Sequence, residues 1–205
     1  MKPRLRLNRI VLLVVLLMSL VFTLPASAGG GCGLDASFVN ESGQVAGRGL
    51  SASGAFHAFV WKNGKATDLG SLGGGCSFAS DINDEGLVVG DSVTASGAFH
   101  AFLWKDGKMR DLGTLGGASS TAQAINEYGW IVGQSETLSG ELHAFVWKYG
   151  RMIDLGTLGG GTFSIATDIN ERGQVVGMAR SATGEPRPFL WQNGKLIDLS
   201  TLPVK

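Results

Sequence analysis

The sequence predicts an all-β, propeller-like fold of four repeats, each about 43 residues long and folded as four short antiparallel strands. Three observations carry this. Trp61, Trp104, Trp147 and Trp191 stand 43, 43 and 44 positions apart, and Asn40, Asn83, Asn126 and Asn170 keep the same spacing, as do Gly47, Gly90, Gly133 and Gly177. Inside each period, runs of β-branched and aromatic residues alternate with turn residues, which is the signature of short strands. Finally, period-two alternation in the run 100–104 puts His100, Phe102 and Trp104 on one face and Ala101 and Leu103 on the other. Both faces are largely apolar, so the sheet is expected to be covered on both sides by neighbours. A β-solenoid is the rival architecture, but its repeat is usually shorter and its strands parallel.

In chain order, residues 1–28 are expected to be a signal peptide. Lys2, Arg4, Arg6 and Arg9 make a basic start, residues 10–24 are apolar apart from Ser19 and Thr23, and Ala26-Ser27-Ala28 offers small residues for cleavage before Gly29. The apolar run is short for a membrane span, which wants roughly twenty residues. Contact with a membrane is therefore expected only if the leader is retained. Loss of its four basic residues leaves 13 Lys and Arg against 17 Asp and Glu, a net charge of about −4. A mildly acidic chain without a basic stripe gives no reason to expect nucleic acid as a partner. Residues 29–205 are expected to form one repeat domain, with repeats at about 34–72, 77–115, 120–158 and 164–202. Cys32 and Cys76 each follow three glycines, at nearly equivalent places in successive repeats. In an exported chain they are expected to form a disulfide between the first two repeats, with two free thiols as the alternative.

Within the second repeat, a first strand ends at Asn83, a second covers 87–93, a third 100–104 and a fourth 108–112, and a glycine-rich crossing at 113–117 leads onward. The turn between third and fourth strands is Asn63-Gly64, Asp106-Gly107, Tyr149-Gly150 or Asn193-Gly194, the pattern of a two-residue type I′ hairpin. Tyr149 suits that turn poorly, so the third repeat is expected to be strained or altered there. Between first and second strands the pattern is Asn-x-x-Gly, where Asn bonds its own backbone and Gly takes the left-handed position. Polar residues such as Arg110 and Asp111 place the fourth strand at an outer edge.

These elements resemble the HAF family of bacterial extracellular repeats. His57-Ala58-Phe59-Val60-Trp61, His100-Ala101-Phe102-Leu103-Trp104 and His143-Ala144-Phe145-Val146-Trp147 carry its name motif, each followed by Asp-Leu-Gly-(Ser/Thr)-Leu-Gly-Gly. The element Ile-Asn-x-x-Gly-x-Val-x-Gly at 82–90, 125–133 and 169–177 belongs to the same pattern. The last repeat departs from it, with Arg187-Pro188-Phe189 for His-Ala-Phe and with the glycines after Asp198 lost, as suits a terminal repeat. The resemblance implies a secreted, periplasmic or cell-surface bacterial protein and brings no catalytic residues.

The remaining chemistry reads as structure. His57, His100 and His143 are equivalent, and the fourth equivalent is Arg187, so backbone or carboxylate bonding within each repeat is favoured over a ring of metal ligands. Asp68, Asp111, Asp154 and Asp198 recur one per repeat, as turn-bonding residues do, whereas glycoside hydrolysis needs two carboxyls in unlike environments. Residues 81–86 have a calcium-loop flavour, but Ser92 stands where the loop's distal Glu belongs. No phosphate loop or nucleophile elbow is present, so neither a cofactor nor a metal is expected. The expected function is a non-enzymatic binding or scaffold module for a protein or carbohydrate. Its partner would be met by the variable loops between second and third strands, through Arg48, Glu136, Glu141, Arg180 and Glu185. The alternatives are a polysaccharide-acting enzyme, for which Glu136 and Glu141 are the one local acidic pair, and a structural segment of a larger assembly. The chain is expected either as a closed monomer or as a ring-completing dimer.

Overall fold

The computed structural model describes residues 34–201. It contains four antiparallel meanders, each built from one repeat. The first is β1 (Asp35–Val39), β2 (Val45–Leu50), β3 (Phe56–Lys62) and β4 (Lys65–Asp68). The second is β5 (Gly73–Ile82), β6 (Val88–Thr94), β7 (Phe99–Lys105) and β8 (Lys108–Asp111). The third is β9 (Gly116–Ile125), β10 (Ile131–Thr137), β11 (Leu142–Lys148) and β12 (Arg151–Gly156). The fourth is β13 (Ser164–Ile169), β14 (Val175–Arg180), β15 (Pro186–Gln192) and β16 (Lys195–Asp198), followed by a 3-10 turn at Leu199–Thr201. A parallel register pair between Phe56 and Cys76 links the first two meanders. β1 pairs with β2 of its own repeat, and among the described residues no strand is exchanged between the first repeat and the last.

The first strands of the second and third repeats are longer than expected. Gly73–Ile82 and Gly116–Ile125 begin inside the glycine-rich stretch that reads in sequence as a crossing loop. Glycines there let β5 and β9 reach the far ends of β6 and β10, with irregular register on the way. The recurrent glycine of the second strand has a different cause. A Cβ on Gly47, Gly90, Gly133 or Gly177 would strike the carbonyl oxygen of Asp35, Phe78, Thr121 or Ile165 on the neighbouring first strand.

Each sheet presents a forward face to the next repeat and a backward face to the previous one. Ala46, Ala58, Val60 and Leu69 of the first repeat meet Ile82, Val88 and Phe102 of the second. Leu87, Val89, Ala101 and Leu112 then meet Ala122, Ile125, Ile131, Phe145 and Trp147 of the third. Val132, Ala144, Val146 and Leu155 meet Ala166, Ile169, Val175 and Phe189 of the fourth. The third strands of the second and third repeats, β7 and β11, thus each contribute to two junctions, as their two apolar faces require. The fourth strands pair on one side only, and the side chains of β4 and β8 are mostly exposed.

Polar stitches hold the same junctions. Ser77, Ser120 and Ser164 are buried, and each accepts the backbone N–H of Ala58, Ala101 or Ala144 on the preceding third strand at 2.8–2.9 Å. Their hydroxyls in turn donate to the carbonyls of Gly70, Gly113 and Gly156. At one end of the stack, Asn40 Nδ2 donates to the Asn83 carbonyl (2.8 Å), Asn83 Nδ2 to Asn126 (3.2 Å) and Asn126 Nδ2 to Asn170 (3.1 Å). Beside this ladder, the backbone N–H of Glu41, Asp84 and Glu127 donates to the carboxylate of Asp84, Glu127 and Glu171 respectively. The repeat period is therefore a hydrogen-bonding period.

Candidate functional site

The three histidines bond within their own repeats. His57, His100 and His143 approach Asp68, Asp111 and Asp154 through Nδ1 at 2.8–2.9 Å. Each aspartate also accepts the N–H two residues on, from Gly70, Gly113 and Gly156, so it fixes the start of the crossing as well as the imidazole. In the fourth repeat Arg187 donates to Asp198 at 2.9 Å, and Asp198 also accepts Ser200 Oγ and N. The Ser200 hydroxyl first, and then Arg187, holds the Asp198 carboxyl below its ordinary range. Among the described residues no cluster of three or more His, Cys, Asp or Glu side chains could hold a metal ion. Cys76 lies part-buried in β5, while Cys32 and the leader lie outside the described residues.

Each of the five residues expected to meet a partner has a local contact of its own. Arg48 pairs with Asp35 at 3.3 Å and lies 5.0 Å over the Phe78 ring, and Arg180 lies 5.5 Å over Phe163. Glu136 accepts the Ala118 N–H at 3.0 Å. Glu141 stands 3.5 Å from His143 Nε2, and Glu185 stands 3.4 Å from Arg187, so a carboxylate flanks the same position in the third and fourth repeats. The Glu141–His143 contact is an ion-pair distance without hydrogen-bond geometry, and Nε2 is buried without a hydrogen-bond partner. Glu136 and Glu141 therefore have separate structural partners.

The loops between second and third strands vary in sequence but share one frame. Ser51, Thr94, Thr137 and Ser181 each pair hydroxyls with the residue two on (Ser53, Ser96, Ser139 and Thr183) at 2.8–2.9 Å. A backbone bond from Gly54, Gly97, Gly140 or Gly184 closes the turn. In the third repeat an open depression of about 570 Å³ adjoins this frame, lined by Leu115, Thr137, Leu138, Ser139, His143 and Asp154. Leu138 forms its lip at 87% exposure, where the other repeats have Ala52, Ala95 and Ala182.

A second departure from the repeat lies at the opposite end of the same sheet, and sequence reasoning missed it. The two tyrosines of the chain, Tyr128 and Tyr149, flank Trp130, the one tryptophan outside the repeat pattern, with ring centroids 6.4 and 5.9 Å away. Lys148 Nζ lies 4.4 Å over the Trp130 ring. Tyr128 is 70% and Tyr149 83% exposed. Tyr149 keeps the left-handed turn of its counterparts, φ 53° against 50° for Asn63 and Asp106, so the hairpin is strained rather than altered. The available signal was that Tyr128, Trp130 and Tyr149 all break the period within one repeat.

Two carboxyls away from these surfaces are perturbed by burial. Asp91 finds no hydrogen-bond donor among the described residues, and desolvation pushes its carboxyl up to about 6. Asp81 is also raised by desolvation, against the opposing pull of the Ile125 and Ile82 N–H groups it accepts.

Comparison with known proteins locates the fold. No protein-family model and no curated protein sequence matches this chain. Among solved structures, TolB from Acinetobacter baumannii, a β-propeller protein, is similar with a TM-score of 0.57 and 11% identity. The match covers 82% of this chain and 43% of that chain, so the present sequence spans less than half of its structural neighbour. At that identity the likeness speaks for the fold alone: an all-β arrangement of several sheets like those of a propeller protein. Among the described residues no helix is long and apolar enough to cross a membrane.

Proposed function

We propose that this chain is an exported, non-enzymatic binding or scaffold module of the HAF-repeat type, and that its third repeat meets the partner. One observation supports this above the others. Among the described residues, the large apolar side chains more than half exposed are Tyr128, Leu138 and Tyr149, and all three belong to the third repeat. In a repeat array, what every unit shares serves stacking, and what one unit carries alone is available for a specific contact. The repeated His–Asp pairs and the separate engagement of Glu136 and Glu141 support a non-enzymatic reading. The partner class is a protein or a carbohydrate, since exposed aromatic rings with polar rims suit both.

Trp130 makes the test practical, because a ligand covering Tyr149 changes the surroundings of its indole. Soluble cell-envelope polysaccharides and extracellular peptides are titrated against the protein while tryptophan emission is read. Binding that is lost in Tyr128→Ser/Tyr149→Asn assigns the aromatic end, and loss in Leu138→Ala assigns the depression. Retention in both, with loss on neutralising Arg48, Glu136, Glu141, Arg180 and Glu185, would return the contact to the charged loops and overturn the reading.

A further inference from the structure

Among the described residues, the two ends of the stack carry faces that no other repeat covers, and each is the complement of the other. Interior junctions bring a forward face onto a backward face, with the side chain at one equivalent position seated over the next repeat's turn glycine. Gln44 lies against Gly86, Leu87 against Gly129 and Trp130 against Gly173. Among the described residues no further repeat covers the equivalent knob of the fourth repeat, Gln174, which donates to Gln192 Oε1 within its own repeat, and the equivalent socket of the first repeat, over Gly43, has nothing within 4 Å. The ladder stops in the same way. Asn170 Nδ2 bonds Gln174 Oε1 at 2.7 Å, as Asn40 Nδ2 bonds Gln44 Oε1 at 2.9 Å, but Asn40 also reaches Asn83 whereas Asn170 reaches no further carbonyl among the described residues. An amide nitrogen carries two hydrogens, so Asn170 is posed as Asn40 is with one donor unused. At the other end, the Glu41 carboxylate receives no N–H of the kind that Asp84, Glu127 and Glu171 receive.

The apolar faces agree with the ladder at Val176 and Val39, whereas Val45 and Phe59, which occupy the places of Val88 and Phe102 in the first repeat, are buried. Val176 occupies the place of Val89 and Val132, which are fully buried in junctions, yet it is 41% exposed, beside exposed Met178. Val39 occupies the place of Ile82, Ile125 and Ile169, all buried, yet it is 40% exposed. Neither terminal face is polar, as the face of a capping repeat would be.

We infer that the forward face of the fourth repeat docks on the backward face of the first repeat of a second copy of this chain, continuing the asparagine ladder from Asn170 to the partner's Asn40. The occupant is a second copy because the same chain supplies both halves of a junction it already makes three times over. Gln44 seated on Gly86 is the precedent for a glutamine in this socket. The junction between copies differs from the interior ones at one stitch: Leu34, 48% exposed, stands where Ser77, Ser120 and Ser164 stand, so an apolar contact replaces a hydroxyl bridge. Such a contact is heterologous, and its repetition either closes a ring or extends a filament. It uses surfaces separate from the third-repeat surface, so either idea can fail without the other.

The test is the solution mass of the chain from Gly29, by light scattering over about a hundredfold range of concentration. The wild type is expected to assemble as concentration rises, while Val176→Lys and Val39→Lys, both at exposed positions, each remain monomeric with unchanged far-ultraviolet circular dichroism. An equimolar mixture of the two variants is expected to give a two-chain species and no larger one, because each retains one intact end. A wild type of fixed monomer mass, assembly unaffected by either variant, or a mixture that stays monomeric overturns the inference.

Discussion

Replacing Asn83 by Ala removes the central rung of the ladder, and the structure fixes the size of the loss. Asn83 is 2% exposed, its Oδ1 accepts the Leu87 N–H at 2.9 Å and its Nδ2 donates to Asn126 at 3.2 Å. Alanine leaves the Leu87 N–H without its side-chain acceptor and takes one donor from the Asn126 carbonyl. A net hydrogen bond contributes about 1 kcal/mol, and a buried group left unpaired costs about 1–3 kcal/mol. The expected destabilisation is therefore about 2–4 kcal/mol, or roughly 5–15 °C in Tm for a domain of this size. Asn170→Ala is the internal control. Asn170 accepts the Gln174 N–H as Asn83 accepts that of Leu87, and the Arg172 N–H besides, but it is exposed and among the described residues its side chain bonds no further repeat, so its loss is expected to be smaller by about 1–2 kcal/mol at low protein concentration. The assay is urea unfolding followed by tryptophan emission. Equal losses for the two variants would refute the idea that the period is a bonding period.

Three further outcomes follow from the site geometry. Tyr149→Asn places a residue that tolerates left-handed φ in a turn held at 53°, and is expected to stabilise the protein by about 1 kcal/mol in the same unfolding assay. His100→Ala is expected to cost about 1 kcal/mol, while His100→Arg retains most of the stability because Arg187 already makes this bond to Asp198; a metal-ligand role would instead appear as metal-dependent melting that both variants abolish. Asp91 has a carboxyl at about 6 in the folded chain against about 4 when unfolded, so the folded state holds the extra proton, and stability is lost as pH rises from about 4 through 6. Asp91→Asn is expected to flatten that part of the pH–stability profile and to stabilise the protein at pH 7 by about 2 kcal/mol; an unchanged profile would contradict the burial argument.

The repeat, its four strands and the edge position of the fourth were legible because each has a local chemical cause. Asn63-Gly64 demands a type I′ turn, alternation in 100–104 demands two covered faces, and Arg110 and Asp111 demand an edge. The start of β5 was not legible, because Gly73-Gly74-Gly75 reads as loop until a neighbouring strand is there to pair with it. Nor were the roles of Ser77, Ser120 and Ser164 legible, since a serine at period 43 looks like any polar strand residue until its partner on the previous repeat is known. Carboxylate bonding of His57, His100 and His143 within each repeat was among the readings the sequence offered, but that Asp68, Asp111 and Asp154 are the partners is a register effect across third and fourth strands, revealed by the pairing of Phe59 with Asp68 and its counterparts. The candidate surface was hidden for the opposite reason. Attention to what the repeats share draws the eye away from Tyr128, Leu138 and Tyr149, whose significance is that they are not shared.

Each repeat is a complete unit that stacks on its neighbours, so removing one unit should leave a shorter stack. Deleting residues 73–115 joins Leu72 to Gly116, which stands in the place of Gly73, and sets Ala46, Ala58 and Val60 against Ile125, Ile131 and Phe145 in place of Ile82, Val88 and Phe102. The deletion chain is expected to show β-rich circular dichroism and cooperative unfolding at a lower denaturant midpoint, with a reduced m-value in keeping with its smaller buried area. An unfolded or molten deletion chain would mean that the four repeats are stable only as one closed whole, and would contradict the stacked-unit account.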